Sequence, residues 1–275
     1  MRYTLYKLIA LLTLLFVMSS CRKEVKNIPL AQADDIAILQ GYLNPDLDTI
    51  TIALSVASGI TKNKKTITKA DLEQAQVTIE CNGVVKPLQF LSNNSGTVVF
   101  YLKSTELPIL SGSTYTVRAK NGDKFSMEAM TTVPAPGFDF SFETTGPFSL
   151  PSSGDIYRIK TKVTDIRGQD NYYRINIYSE MPWNNSNVSI YYVTDDHDAT
   201  AEIGTTLELS AYARDSGTCT LSVSNISEEY YKFAESLNTL GNTDGNPFAE
   251  PTRLYTNVQG GIGILGSMRV KYKAL

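Results

Sequence analysis

Apolar and polar residues alternate with a period of two along most of this chain, and that pattern predicts strands. Over Thr49 to Ala57 the branched side chains Ile50, Ile52, Leu54 and Val56 share one face and Thr49, Thr51, Ala53 and Ser55 the other. Before it, Ile36, Ile38 and Gly41-Tyr42-Leu43 read as a strand ending in the turn Asn44-Pro45-Asp46. Thr68 followed by Asp71 has the spacing that caps one helical turn. Two hairpins are written into the next stretch: Gln76 to Cys81 and Val84 to Phe90 flank Asn82-Gly83, and Tyr115 to Lys120 and Asp123 to Met130 flank Asn121-Gly122. Asn-Gly supplies the two positive φ angles of a type I′ turn. With Gly96 to Leu102 between the hairpins, seven short strands and no substantial helix predict an immunoglobulin-like antiparallel sandwich over residues 36–133. Pro134, Pro136 and Gly137 then forbid a continuing central strand.

Residues 137–275 read as a second β-rich domain. Phe138, Phe140 and Phe142 give one strand an aromatic face, Ile156 to Thr164 is expected to pair with Tyr172 to Ser179, and Val188 to Thr194, Thr205 to Ala213, Thr218 to Ser224 and Met268 to Lys273 supply further strands. From Ser227 to Leu240 the period changes. Tyr230, Phe233, Ala234, Leu237 and Leu240 form a helical stripe that opens on Ser227 with Glu228 and Glu229 in its first turn and meets Gly241 at its end. The fold class is therefore mainly β: an immunoglobulin-like sandwich, then a β-rich domain carrying one short amphipathic helix over about 227–240.

The first 35 residues stand apart. Arg2 and Lys7 precede a run from Leu8 to Met18 that is apolar but for Thr13, too short to span a bilayer as a helix, and Met18-Ser19-Ser20-Cys21 follows. A charged start, an apolar run and small residues before cysteine resemble a bacterial lipoprotein signal over residues 1–20, with Cys21 lipidated and 21–35 a polar tether. Without the first 20 residues, 23 basic residues face 28 acidic ones, a formal charge of −5. That balance gives no electrostatic footprint for nucleic acid or anionic head groups, so membrane attachment falls to acyl chains, at about 0.8 kcal/mol per buried methylene. Cys81 and Cys219 each sit among alternating apolar neighbours; an oxidising envelope permits a bridge, and two separate buried thiols are the expected arrangement.

Several segments resemble the DUF4249 family of Bacteroidetes lipoproteins: Asp170-Asn171-Tyr172-Tyr173-Arg174, Ser227-Glu228-Glu229-Tyr230-Tyr231, Asn246-Pro247-Phe248-Ala249-Glu250-Pro251, and Asn257 leading into Gly260-Gly261-Ile262-Gly263. The Gly41-Tyr42 strand and Gly112 to Thr116 fit as well, so the likeness spans nearly all of the chain after the signal. Where the family continues its glycine stretch with aromatic residues, this chain has Ile264-Leu265. The family has no established function. Its members often occur beside TonB-dependent transporters, and the resemblance implies no catalytic residues. Lys23-Glu24 after the cysteine is similar to export signals that place such lipoproteins on the cell surface.

Candidate chemistry is sparse. Gly261, Gly263 and Gly266 match the dinucleotide fingerprint in letters, yet the chain offers no following helix or distant acid, so a glycine-rich bend or bulge before the last strand is predicted instead. Asp195, Asp196, His197 and Asp198 are ligand types for a divalent cation, and they also read as a polar loop between strands. Trp183, in a polar loop, could form an aromatic platform for sugars or peptides with Tyr191 and Tyr192, or fold back to cap the sandwich edge. No Gly-x-Ser-x-Gly elbow accompanies the single histidine. The expected function is that of a non-enzymatic lipoprotein anchored in the outer membrane, without cofactor, acting as accessory or ligand-binding partner of a TonB-dependent transporter. A structural or adhesive envelope protein is the alternative, and a carboxylate-dependent hydrolase comes third.

Overall fold

A computed structural model describes residues 34–58, 67–94, 96–150, 154–164, 168–181, 184–194, 203–210, 218–243 and 253–275. The chain is mainly β, with two helices among the described residues. Strands β1 (Ile36–Leu43), β2 (Thr49–Ala57), β5 (Gln89–Asn94) and β6 (Thr97–Lys103) form one layer of the first sandwich, in the order β1-β2-β6-β5. The facing layer runs β8-β7-β3-β4, from β3 (Gln76–Cys81), β4 (Val84–Pro87), β7 (Thr114–Asn121) and β8 (Phe125–Thr132). Inward positions such as Leu39, Ile52, Leu54, Ile79, Val98 and Val117 are fully buried between them. This is the immunoglobulin-like arrangement the alternation predicts. Tyr115, near the start of β7, makes the tyrosine corner of such folds: its hydroxyl accepts from Leu110 N–H and donates to the Pro108 carbonyl, both at 2.7 Å. Thr68 and Asp71 form the expected capping box of α1 (Lys69–Glu73).

Two local expectations change. Asn82 and Gly83 both have positive φ, at 50° and 78°, as a type I′ turn demands. At the second hairpin Asn121 stays in the ladder opposite Phe125, Gly122 (φ 46°) alone takes a positive angle, and the turn runs through Lys124, whose N–H donates to the Asn121 carbonyl. The strand expected over Val84 to Phe90 divides at Pro87, which has no N–H for the ladder; β4 and β5 lie in opposite layers.

The second module repeats the wiring of the first. Strands β9 (Asp139–Leu150), β10 (Gly154–Thr164) and β13 (Ile203–Ser210) form one layer in the order β13-β10-β9. Strands β11 (Tyr172–Met181), β12 (Asn184–Thr194), β14 (Thr218–Ile226) and β16 (Ile262–Ala274) form the other, in the order β12-β11-β14-β16. These correspond in sequence to β1-β2-β6 and β4-β3-β7-β8. Ile159, Val163, Tyr173, Ile175, Ile177, Leu209, Leu221 and Val223 fill a separate core. The expected pairing of β10 with β11 does not occur: the two strands lie in different sheets, and β11 pairs with β14 and β12 instead. Between β14 and β16 stands α2 (Glu228–Thr243), capped at Ser227, whose Oγ accepts from Tyr230 N–H at 3.4 Å. The helix runs through Gly241 rather than stopping there, and its stripe is covered only over its first half: Ala234 is buried and the half-buried Tyr230 meets Tyr42 at 4.7 Å, while Leu237 and Leu240 are exposed.

Strand β16 joins the modules. Residues Ile262 to Ser267 pair in parallel with β1, and Met268 to Ala274 pair antiparallel with β14, so one sheet of eight strands passes through both sandwiches. The glycines expected to form a bend before the last strand lie at its start and inside it. Gly263 (φ 126°) sits in the ladder opposite Leu39, where a β-carbon would stand 1.9 Å from the Leu39 carbonyl oxygen. Just upstream, β15 (Val258–Gln259) extends the other layer beside β8. Asn257 ties the two layers: its amide donates to the carbonyls of Met130 and Leu265, and its Oδ1 accepts from Leu265 N–H.

Candidate functional site

On strands β11, β14 and β16 the residues opposite the core point outward in register. Arg174 lies beside Ser224 and Val270, Asn176 beside Ser222 and Tyr272, and Tyr178 beside Thr220. The outer face of an antiparallel sheet is ordinarily polar because it is wet. Here it is polar and partly enclosed: Asn176, Ser222 and Ser224 are only 6%, 6% and 1% exposed. They form the floor of a cavity of about 480 Å³, with Tyr178 and Tyr272 along it and Asn44 and Leu47, from the β1–β2 turn of the first module, at its rim. That volume lies within the roughly 300–1,000 Å³ of small-molecule sites.

Among the described residues, Arg174 carries the only formal charge in the cavity wall. Arg118, Arg158 and Arg269 each have a carboxylate partner, but Arg174 has none among the described residues, and its Nε is buried without a hydrogen-bond acceptor. Ser222 Oγ donates to the Asn176 carbonyl at 3.3 Å, which fixes one hydroxyl of the floor. Tyr272, 67% exposed, leaves its ring open to a ligand.

A second recess, of about 380 Å³, lies between the modules at the start of α2, lined among others by Thr132, Pro134, Asp170, Asn171, Asn225 and Glu228. Its charged lining is the opposite, since Asp170, Glu228 and Glu229 are among the residues around it, with Glu228 paired to Lys232 at 2.6 Å. Two of the segments that resemble the family, Asp170 to Arg174 and Ser227 to Tyr231, meet here, and their contacts are structural; Asn246 to Pro251 lies outside the described residues. Ser227 N–H donates to the Ser267 carbonyl, Ser267 N–H to Ser227 Oγ, and Ser267 Oγ to the Thr132 carbonyl. Tyr172 and Tyr231 meet at 5.0 Å; burial and the neighbouring Glu235 push the Tyr231 phenol up to about 12. These residues weld helix, linker and shared strand.

Of the residues singled out from sequence, Cys21, Trp183, Asp195, Asp196, His197 and Asp198 lie outside the described residues. Tyr191 and Tyr192 fall on β12, where Tyr192 is the cross-strand partner of Arg174 and Tyr191 that of Ile175. Cys81 and Cys219 are buried thiols that form no disulfide, one in each core, as expected. Among the described residues no group of His, Cys, Asp and Glu converges to hold a metal ion, and no helix is long and apolar enough to cross a membrane. Asn176, Tyr178, Ser222, Ser224 and Tyr272 escaped notice in the sequence. The available signal was the run of polar outward positions on two strands, readable only once β11 and β14 are known to be neighbours.

Fold and cavity together define a tandem β-sandwich protein with a polar recess on the outer face of its shared sheet. The chain belongs to the DUF4249 family, a domain of unknown function, whose model matches residues 24–274. No curated protein matches it. Among solved structures it is similar to a DUF4785 family protein of Legionella pneumophila subsp. pneumophila str. Philadelphia 1, at 11% identity and a TM-score of 0.22, covering 68% of this chain and 48% of that one. The chain thus spans about half the length of that relative. It is similar also to a DUF3823 family protein of Parabacteroides merdae ATCC 43184, at 10% identity and a TM-score of 0.23, covering 71% and 92%. A third likeness is to the calcium binding domain CBD12 of CALX1.1, at 10% identity and a TM-score of 0.19, covering 86% and 98%. Superposition this loose carries no inference about site or ligand.

Proposed function

We propose that this protein is a non-enzymatic binding lipoprotein, held in the outer membrane through acyl chains on Cys21, that receives a small ligand and works as accessory to a TonB-dependent transporter. The observation that carries the binding role is the partly enclosed polar cavity: buried hydroxyls and an amide, one guanidinium without a partner among the described residues and an open tyrosine ring are recognition groups, and no described residue pair there offers a nucleophile with its base. The anchor rests on the apolar run ending in Ser19-Ser20-Cys21. The transporter partner rests on the habitual neighbours of the family.

The test has two arms. Mass spectrometry of the protein from its native envelope should find a diacylglyceryl-modified Cys21 at the amino terminus, and an outer-membrane barrel should copurify after gentle solubilisation. An unacylated terminus or a start elsewhere removes the location. Purified residues 22–275 should bind members of a glycan and peptide panel saturably, and Tyr272→Ala should weaken that binding without lowering stability. A panel that gives no saturable binding, or binding that Tyr272→Ala leaves intact, removes the cavity as the binding site.

A further inference from the structure

We infer that the cavity is built for an acidic saccharide, its anionic group seated against Arg174 and its hydroxyls on the amide and hydroxyl floor. This rests on the cavity being the ligand site proposed above and adds the chemical class of what enters it. The first ground is charge. The protein is acidic overall, yet among the described residues this wall contains no Asp or Glu, and the single ionised group there is a guanidinium with a buried, unpartnered Nε. A guanidinium offers five donors in a planar fork that matches a carboxylate or sulfate, and leaving one of them buried and idle is costly unless a ligand supplies the acceptor. Two other arginines make the contrast. Arg269, two strands away on β16, lies 3.8 Å from Asp46, and Arg118 2.6 Å from Glu128.

The second ground is the rest of the lining. Asn176, Thr220, Ser222, Ser224, Tyr178 and Tyr272 present short donors and acceptors with two aromatic rings, the complement of a hydroxyl-rich ring; Met268 and Val270 supply the small apolar surface that a sugar face covers. An extended peptide would instead need a sheet edge for its backbone, and this floor is the middle of a sheet whose ladder is already paired on both sides.

The experiment titrates residues 22–275, with arginine labelled in ¹⁵N, with mono- to trisaccharides carrying galacturonate, glucuronate or sialate, with the methyl esters of the same compounds, with sulfated galactose, and with an amidated and a free-carboxylate tripeptide. At least one acid should shift the Arg174 Nε–H signal saturably and bind about ten- to a hundredfold more tightly than its ester, the worth of a charge-assisted bond. Arg174→Gln should bring acid and ester together, and Arg174→Lys should retain part of the difference. Preference for sulfated galactose over the uronates identifies the anion as sulfate and supports the same assignment. Equal binding of acid and ester, or an acid preference that survives Arg174→Gln with the fold intact, overturns it while the cavity remains a binding site. Binding confined to peptides also overturns the saccharide and leaves the binding role standing. If no compound of either class moves the Arg174 signal, the cavity is not this ligand's site and both readings of it fall.

Discussion

Replacing Gly263 by alanine should be among the most destructive single substitutions in this chain, although it adds one methyl group. Its φ of 126° belongs to glycine, and a residue forced there costs about 1–3 kcal/mol. The added carbon would lie 1.9 Å from the Leu39 carbonyl oxygen, about 1 Å inside the 3.0 Å that real β-carbons respect, and the obstacle is backbone that no rotamer change can move. Strand β16 must therefore withdraw from β1 at that pair, stretching ladder hydrogen bonds beyond the about 2.7–3.2 Å at which they are effective, at roughly 1–3 kcal/mol for each buried group left unpaired. Together this amounts to about 3–6 kcal/mol, a large share of the roughly 5–15 kcal/mol that stabilises a typical domain. Gly112→Ala provides the calibration: it shares a positive φ, 75°, but has nothing within 4 Å, so only the conformational cost of about 1–2 kcal/mol applies. Urea unfolding of residues 22–275, followed by far-ultraviolet circular dichroism, measures both. If Gly263→Ala falls within about 1 kcal/mol of Gly112→Ala, the close approach of β16 to β1 is not a constraint on the fold.

Four further outcomes follow from the same structure. Tyr115→Phe removes the acceptor of Leu110 N–H and the donor to Pro108, and should cost about 1–3 kcal/mol in the same assay; a loss below about 0.5 kcal/mol would mean the corner is ornamental. Burial raises the Tyr115 phenol to about 12, so between pH 10 and 12 the unfolded chain releases that proton and the folded one holds it; stability should fall as pH rises through this window, less steeply in Tyr115→Phe, and parallel curves for the two proteins would refute the assignment. Asn257→Ala should lose about 2–4 kcal/mol and Asn257→Asp at least as much, because a carboxylate cannot donate to the Met130 and Leu265 carbonyls; a tolerated aspartate would contradict the bonding. A thiol reagent should find no reactive cysteine in native residues 22–275 and two after denaturation without reductant, whereas none in both states would reveal a bridge between Cys81 and Cys219.

What the sequence disclosed was local, and what it withheld was pairing. Ile50, Ile52, Leu54 and Val56 announce β2 because one buried face imposes a period of two, and Asn82-Gly83 announces its hairpin because few residues accept both positive angles. Asn121-Gly122 carries the same letters and makes a different turn, since Asn121 is kept in the ladder by Phe125. The neighbours of β11 could not be read at all. Nothing local to Tyr172–Met181 says that Arg174 will meet Ser224, a residue 50 positions away in the chain, and the cavity exists only through that pairing. The family resemblance drew attention to Asp170 to Arg174 and Ser227 to Tyr231 for a reason the structure makes plain: most of those side chains hold the junction, and Arg174 alone faces the cavity.

The shared strand gives that junction its consequence for binding. If the modules were tethered only through residues 133–138, the Asn44 and Leu47 rim would wander relative to a floor on β11 and β14. Strand β16 removes this freedom, because its first half is laddered to β1, which leads directly into that rim, and its second half is part of the floor. The turn itself is fixed by Asp46 N–H donating to Asn44 Oδ1 at 3.0 Å and by Asp46 reaching Arg269 on β16 at 3.8 Å. A half-exposed ion pair of this kind adds at most about 1 kcal/mol to stability. Its effect is on position: rim and floor are held by one strand before any ligand arrives, so little ordering remains to oppose binding. Parallel pairing of β16 with β1, which requires Gly263 to lie against Leu39, is thus the condition for a preformed cavity as well as for the fold.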